Sequence, residues 1–447
     1  MPKKSTPEKV LNLKTVRNAK IEYVETLGEG GQGYVYKVLY NGKPMAMKVY
    51  KPKAIPDPEQ FLANLKENMK HAIPSPAFLW PRDVIEAFTN KAGDTTFGYI
   101  MDLVPENYKS LSSFFKRKAK FNSFRTALDV ALKITSAFRI LHNAGYSYVD
   151  MNGDNFLIDP RTGDVLICDV DNIAPNGTYT GVRGTPRYMA PEIVRGDAAP
   201  STYTDHFSLA VIIFMILTNS HPLEGCRYLM PCLTPDAVQE LYGTNPVFIL
   251  DPKDRSNAPV EGIHKNIAVV WNSLPKYMTD AFTKAFSKER LLDRPDKRLT
   301  DQVWEALLIR LRSDILPCPC GGETFIWDHS APQCEDCKSK KFPVFPMLKL
   351  GDGCDYEMPL IPGAIVYRSQ FGTDKVDTAG KPALRVVVGD GPDGRKSLFL
   401  HNISGSKLTC FTASGKRVPV DPGDPVPVRS GFALQLDSNN NKMITVL

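Results

Sequence analysis

The stretch Gly28-Glu29-Gly30-Gly31-Gln32-Gly33-Tyr34-Val35 constrains the fold more than any other segment of the chain. Its glycines let a backbone come close to a polyphosphate and adopt dihedral angles closed to other residues. A dinucleotide fingerprint would open a helix at this point, but here a strand-like alternation follows, Tyr34–Tyr40, matching Ile21–Glu25 before it. Met45–Tyr50, across the Asn41-Gly42 turn, completes an antiparallel meander with a glycine-rich loop at one end. From Glu59 onward helical spacing takes over, in Glu59–His71, Ser123–Asn143 and Phe207–Leu217. A strand-rich lobe followed by a helical lobe is expected.

Chemistry-bearing residues follow in a fixed order. Ala46-Met47-Lys48-Val49 puts a lysine on the third strand, and Glu67 lies on the next helix. A lysine that reaches phosphates must be held by a carboxylate, and a Lys–Glu ion pair does this. Tyr148-Val149-Asp150-Met151-Asn152-Gly153-Asp154-Asn155 and Cys168-Asp169-Val170-Asp171 supply a carboxylate to orient and deprotonate a hydroxyl, together with hard oxygen ligands for magnesium. Gly184-Thr185-Pro186-Arg187-Tyr188-Met189-Ala190-Pro191-Glu192, Asp205 and Arg298 come later. Singly each is an ordinary loop or helix residue; the ordered set is specific.

The order and spacing resemble the eukaryotic-type protein kinase fold over roughly residues 21–312. The resemblance implies a lobe of 21–104 and a second of 105–313, and a role for each matching residue. Lys48 would hold the α and β phosphates, Glu67 would pair with it, and Asp150 would be the catalytic base. Asn155 and Asp169 would bind magnesium or manganese. Gly28, Gly30, Gly33, Val35 and Ala46 would enclose ATP, with Met101 as gatekeeper and Asp102-Leu103-Val104 as the hinge facing adenine. Glu192 and Arg298 match a structural ion pair, and Asp205 a brace of the catalytic loop. Thr185 matches the threonine of serine/threonine kinases that contacts the catalytic aspartate. Thr178, Thr180 and Thr185 are candidate autophosphorylation sites.

Three positions depart from that pattern. Tyr148-Val149 stands where the family usually has His-Arg, Asn152 replaces a lysine that neutralises the γ-phosphate, and Asp171 replaces a glycine. The last adds a carboxylate near the metals. The stretch Cys226–Val260 is longer than the minimal fold needs, as a docking element or a tolerated insertion.

Beyond Leu311 the composition changes. Cys318-Pro319-Cys320-Gly321-Gly322 and Cys334-Glu335-Asp336-Cys337 form two short pairs, and four soft thiolates on two turns suit one tetrahedral zinc ion. The single residue within the first pair is atypical of a zinc ribbon and leaves His329 as an alternative ligand. With four Cys ligands the ion would be structural, in a ribbon over 317–340. Residues 341–447, with frequent turns between short apolar strands, read as a separate all-β domain. Leu400-His401-Asn402-Ile403-Ser404 and Gly415-Lys416 with Pro422-Gly423-Asp424 resemble a forkhead-associated sandwich, a phosphothreonine-binding module, with Arg368-Ser369 as phosphate-binding candidates. A Ser-x-x-His signature is missing, and a packing or partner-docking domain is the other reading.

The fold class is therefore multidomain α+β, and 447 residues accommodate two to four units. The net charge is +6, of which the arm at residues 1–20 carries +5, six Lys or Arg less one Glu. The rest is near neutral, which argues against a nucleic-acid partner. That arm reads as flexible and solvated. The N-terminus lacks the apolar core of a signal peptide, and the apolar run Phe207–Thr218 is too short for a bilayer. Nine cysteines, an odd number, suit a reducing compartment such as the cytoplasm.

The expected function is ATP- and magnesium-dependent transfer to Ser or Thr hydroxyls of a protein substrate. The alternative, motivated by Val149, Asn152 and Asp171, is a pseudokinase scaffold or nucleotide-binding signalling module without turnover. The ribbon and tail resemble bacterial kinases that act beside a metal-dependent phosphatase and a von Willebrand-type domain protein.

Overall fold

The computed structural model describes residues 13–55, 57–89, 93–178, 184–325, 333–334, 336–340, 342, 344–372, 381–436 and 443–447. Thr180, His329 and most of the basic arm lie outside the described residues. The chain divides into two compact units: residues 1–122, 133–267 and 282–299 form the first, and 123–132, 268–281 and 300–447 the second.

In the first unit the meander forms as the residue pattern requires. Strands β1 (Ile21–Glu29), β2 (Gly33–Tyr40) and β3 (Lys43–Tyr50) pair antiparallel. Asn41 and Gly42 both take positive φ, 47° and 80°, the geometry a two-residue hairpin turn demands. Helix α1 (Pro58–Lys70) follows, its first turn capped by the Asp57 carboxylate accepting from the Gln60 N–H. Strands β4 (Asp83–Thr89) and β5 (Thr95–Met101) complete a five-stranded sheet in the order β1-β2-β3-β5-β4. One face buries Tyr36, Val38, Met47, Val49, Ile85 and Ile100.

The described end of the arm departs from the solvated tail expected. Thr15 is buried; Val16 N–H donates to Val84 O, and Glu86 N–H donates to Lys14 O. Pairing along β4 satisfies these backbone groups and overrides the local charge.

Past the sheet, α2 (Thr202–Thr218) is buried from Thr204 to its end, as the unbroken apolar run predicts. It stops at Asn219, whose φ of 50° cannot continue a right-handed helix. Short strand pairs support the loops between: Tyr146–Tyr148 with Ile173–Pro175, and Phe156–Ile158 with Val165–Ile167. The long segment after Cys226 is folded in rather than looped out. Asn257 is buried, donating to Leu223 O and Val247 O while accepting from the Gly225 and Arg227 amides.

Among its described residues the second unit holds a short two-stranded hairpin and two larger antiparallel sheets. The six-stranded sheet runs in the order Glu357–Pro359, Met347–Lys349, Met443–Val446, Ala433–Gln435, Leu408–Phe411, Arg417–Val420. The four-stranded sheet runs Ile365–Tyr367, Pro382–Asp390, Lys396–Asn402, Pro425–Pro427. Leu348, Leu408 and Leu434 from one and Val366, Leu384 and Leu400 from the other share a single buried cluster, so the pair forms a sandwich.

The sequence-based boundary near Ser313 is not where this unit begins. Helix α3 (Asp301–Ser313) belongs to it, because its polar side chains are satisfied there. Gln370 Nε2 donates to Ser313 Oγ at 3.0 Å, Arg312 pairs with Asp129, and the Arg310 guanidinium stacks between Tyr277 and Tyr356 at 4.2 and 4.8 Å.

Candidate active site

Register sets the site. On β3, Lys48 pairs with Val35 on one side and Tyr99 on the other, so its side chain leaves the sheet beneath the glycine-rich hairpin. The loop closes with Gly30 N–H donating to Gly33 O at 2.9 Å. Ala46 and Met101 are buried on neighbouring strands, and Asp102 to Val104 leave β5 as half-buried coil. The Asp102 side chain points to solvent in a pair with Arg82.

Lys48 Nζ lies 3.0 Å from Asp169 Oδ1 and 2.8 Å from Asp171 Oδ2. Asp169 adopts the left-handed conformation, φ 52° and ψ 41°, and its carboxylate is one-third exposed. Asp171 is fully buried and also accepts from the Tyr50 and Tyr99 hydroxyls. Burial works against the Lys48 charge, but the Asp171 and Asp169 carboxylates outweigh it and raise the ammonium above its ordinary range. Burial likewise raises the pKa of Asp169, with Lys48 opposing.

Glu67 is not brought to Lys48. It pairs with Lys70 at 2.8 Å and His71 at 3.4 Å on the solvated side of α1. The inward face carries Phe61, Leu65 and Asn68, and both Asn64 and Asn68 donate to Ile173 O. Glu67 precedes Asn68 by one residue, about 100° around the helix from the buried stripe. Asp171, expected to add a carboxylate near the metals, shares Lys48 Nζ with Asp169 and also faces two tyrosines.

The loop after Tyr148 is held at several points. Tyr148 donates its N–H to Asp205 Oδ2 at 2.7 Å and its hydroxyl to Cys168 O at 2.8 Å, and Asp205 Oδ2 also meets His142 Nε2 at 3.0 Å. Asn155 Nδ2 donates to Asp150 O at 2.8 Å, so its amide nitrogen is engaged on the loop backbone. Asp150 Oδ1 accepts from both the N–H and the hydroxyl of Thr185, at 2.9 and 3.0 Å. Gly184 makes that approach possible: its φ is 94°, and a Cβ there would stand 2.8 Å from Val149 O. Asn152 is spent on the loop itself, with its Oδ1 accepting from Asp154 N–H. Thr178 is exposed.

In the second unit, the hairpin of Ile315–Pro317 with Glu323–Phe325 carries Cys318 and Cys320 on its turn. The sulfurs of Cys318, Cys320, Cys334 and Cys337 all lie within 4.8 Å of one another, with 3.6 Å between Cys318 and Cys337 and between Cys320 and Cys334. Gly322 packs so closely that a Cβ would meet Asp336 Oδ2 at 2.3 Å.

Sequence reasoning missed Asp171 as the lysine's partner, together with Tyr50 and Tyr99. The available signal was two tyrosines in apolar strands, whose buried hydroxyls need acceptors.

Residues 21–234 match the family model of the protein kinase domain. The chain is 25% identical over 261 residues to "Probable serine/threonine-protein kinase gdt4" of Dictyostelium discoideum, covering 54% of this chain and 15% of that protein. It is 28% identical over 233 residues to serine/threonine-protein kinase PknD of Chlamydia caviae, covering 45% and 24%. With serine/threonine-protein kinase pkn3 of Myxococcus xanthus the identity is 26% over 213 residues, covering 44% and 38%. The chain thus spans well under half the length of these relatives. The likeness to serine/threonine-protein kinases is thus confined to part of the chain. No helix among the described residues is long and apolar enough to cross a membrane.

Proposed function

We propose that this chain transfers the γ-phosphoryl group of ATP to serine or threonine hydroxyls of protein substrates, itself among them. The observation that carries the reading is the convergence of Lys48, Asp169, Asn155 and Asp150 beneath the glycine-rich hairpin, with Thr185 on the Asp150 carboxylate. Lys48 binds the α and β phosphates as a fixed cation, and the hinge backbone at Asp102 to Val104 orients adenine. Asp150 holds the acceptor hydroxyl in line and takes its proton as transfer proceeds.

The donor set suits a hard divalent cation: the partly exposed Asp169 carboxylate and the Asn155 amide oxygen are the atoms that would hold it. Bound there, magnesium or manganese would neutralise charge developing on the phosphates. A scaffold without turnover is not favoured, because the base, the lysine and both metal ligands are all retained.

For the cysteine cluster we propose structural zinc, supported by four sulfurs at mutual distances one tetrahedral ion can bridge. For the sandwich we propose a docking role, with phosphothreonine peptides as the ligand class to test; Arg368 and Ser369 begin a short turn directly after Ile365–Tyr367.

Radiolabelled ATP separates the enzyme from the scaffold. Wild type is expected to label itself and a generic protein acceptor, and Asp169→Ala to label neither. Tight Mg-ATP binding by wild type without any transfer overturns the enzyme reading.

A further inference from the structure

We infer that Asp171 is the residue that positions Lys48 for phosphate, the task the sequence pattern assigns to Glu67. The inference rests on the kinase reading above and names a positioning residue within that site.

A buried ammonium is stable only where carboxylates and hydrogen bonds replace its water. Lys48 has two carboxylate partners, and they differ in kind. Asp169 is one-third exposed, left-handed at its backbone, and the atom set that would take a divalent cation. A divalent cation held by Asp169 would compete with Lys48 for its carboxylate oxygens. Asp171 cannot be diverted in that way. It has no solvent-accessible surface, its Oδ2 already accepts from Lys48 and Tyr50, and its Oδ1 faces the Tyr99 hydroxyl at 3.4 Å. Both tyrosines are fixed in turn: Tyr50 packs on Phe61 and Phe97 at 5.4 and 4.8 Å, and Tyr99 sits in β5 opposite Lys48 itself.

Two further observations close the argument. Phe61, not an acid, presents the helix α1 face to this region, and Glu67 is engaged by Lys70 and His71. Burial behind two tyrosines also keeps Asp171 from acting as an additional metal ligand. The departure at position 171 and the idle Glu67 thus compensate one another: the clamp on the lysine has moved from the helix to the strand-end turn.

The test compares full-length wild type, D171N, E67Q and Y50F for Mg-ATP-dependent transfer, for nucleotide Kd with a fluorescent ATP analogue, and for Tm. D171N is expected to lower kcat at least thirtyfold and weaken nucleotide binding three- to tenfold, with the smaller loss on E67Q. Y50F, which removes only a hydroxyl that fixes Asp171, is expected to lower kcat three- to tenfold with Tm near wild type. A purely structural Asp171 would instead lower Tm and leave kcat per folded molecule intact. The inference is overturned if E67Q loses more than D171N, or if Y50F and D171N turn over like wild type. Should D171N fail to fold, Y50F decides alone. If wild type transfers no phosphate, the enzyme reading fails, and the inference is judged on affinity: unchanged Kd in D171N overturns it, a threefold weakening upholds it.

Discussion

Arg298 grips Glu192, 106 positions earlier in the chain, through two near-parallel hydrogen bonds, Nη1 to Oε1 at 2.6 Å and Nη2 to Oε2 at 2.7 Å. The guanidinium also donates to Tyr203 O and lies over the Phe207 ring at 5.4 Å. Both side chains are buried, so removing one leaves the other charge without a partner. Arg298→Met is expected to cost about 3–5 kcal/mol of stability in urea unfolding. Combining it with Glu192→Leu should recover part of that loss, because the unpaired carboxylate is then gone as well.

Thr185 gives Asp150 two hydrogen bonds, only one of them from the side chain. Thr185→Val keeps the shape and the amide bond but loses the hydroxyl. Transfer should fall about tenfold, the value of roughly one hydrogen bond to a charged group, with KM for ATP unchanged. Steady-state labelling at varied ATP reads both quantities.

Gly184→Ala should act harder at the same place. Its φ of 94° costs an L-residue about 1–2 kcal/mol, and the new Cβ would collide with Val149 O, pushing Thr185 off Asp150. Transfer is expected to fall more than in Thr185→Val, together with a measurable drop in Tm.

Elemental analysis of protein never exposed to chelator is expected to find about one zinc per chain, since four thiolates at these distances repel or oxidise without an ion. Cys334→Ser should lose most of the metal and become protease-sensitive near 318–340, while transfer activity is retained.

Asp314 gives a pH dependence. Burial pushes its carboxyl up to about 7, although Tyr277 donates to it at 2.7 Å and Arg310 favours its charge. The folded pKa exceeds that of the unfolded chain, so the folded state binds the extra proton between about pH 4 and 7. Stability from this group is present below that window and lost as pH rises through it. A pKa difference of one unit is worth about 1.4 kcal/mol. Asp314→Asn should therefore raise Tm at pH 8 and do little at pH 4, as scanning calorimetry at the two values would record.

What the sequence made legible was local. The Asn41-Gly42 turn, the glycine-rich hairpin and α2 follow from residues a few positions apart, and the structure forms them where the pattern put them. Cys318 to Cys337 was legible because two pairs close over a short span. Glu67 was misjudged because order along the chain says nothing about which helix face turns inward; Phe61, Leu65 and Asn68 decide that. The strand order of the sandwich was out of reach, since Met347–Lys349 pairs with Met443–Val446 almost a hundred residues later. Likewise, α3 looks like the last helix of its predecessor until Gln370, far downstream, is seen to bond Ser313.

Strand β4 would be an open rim of its sheet, and Lys14 to Val16 cover part of it. Those three residues do for this sheet what an added strand does in a fibril, but from within the same chain. A shortened chain beginning at Ile21 would leave Val84 O and Glu86 N–H facing water, a template on which a second copy can pair edge to edge. The described end of the basic arm thus caps hydrogen-bonding groups that a bare sheet edge would present.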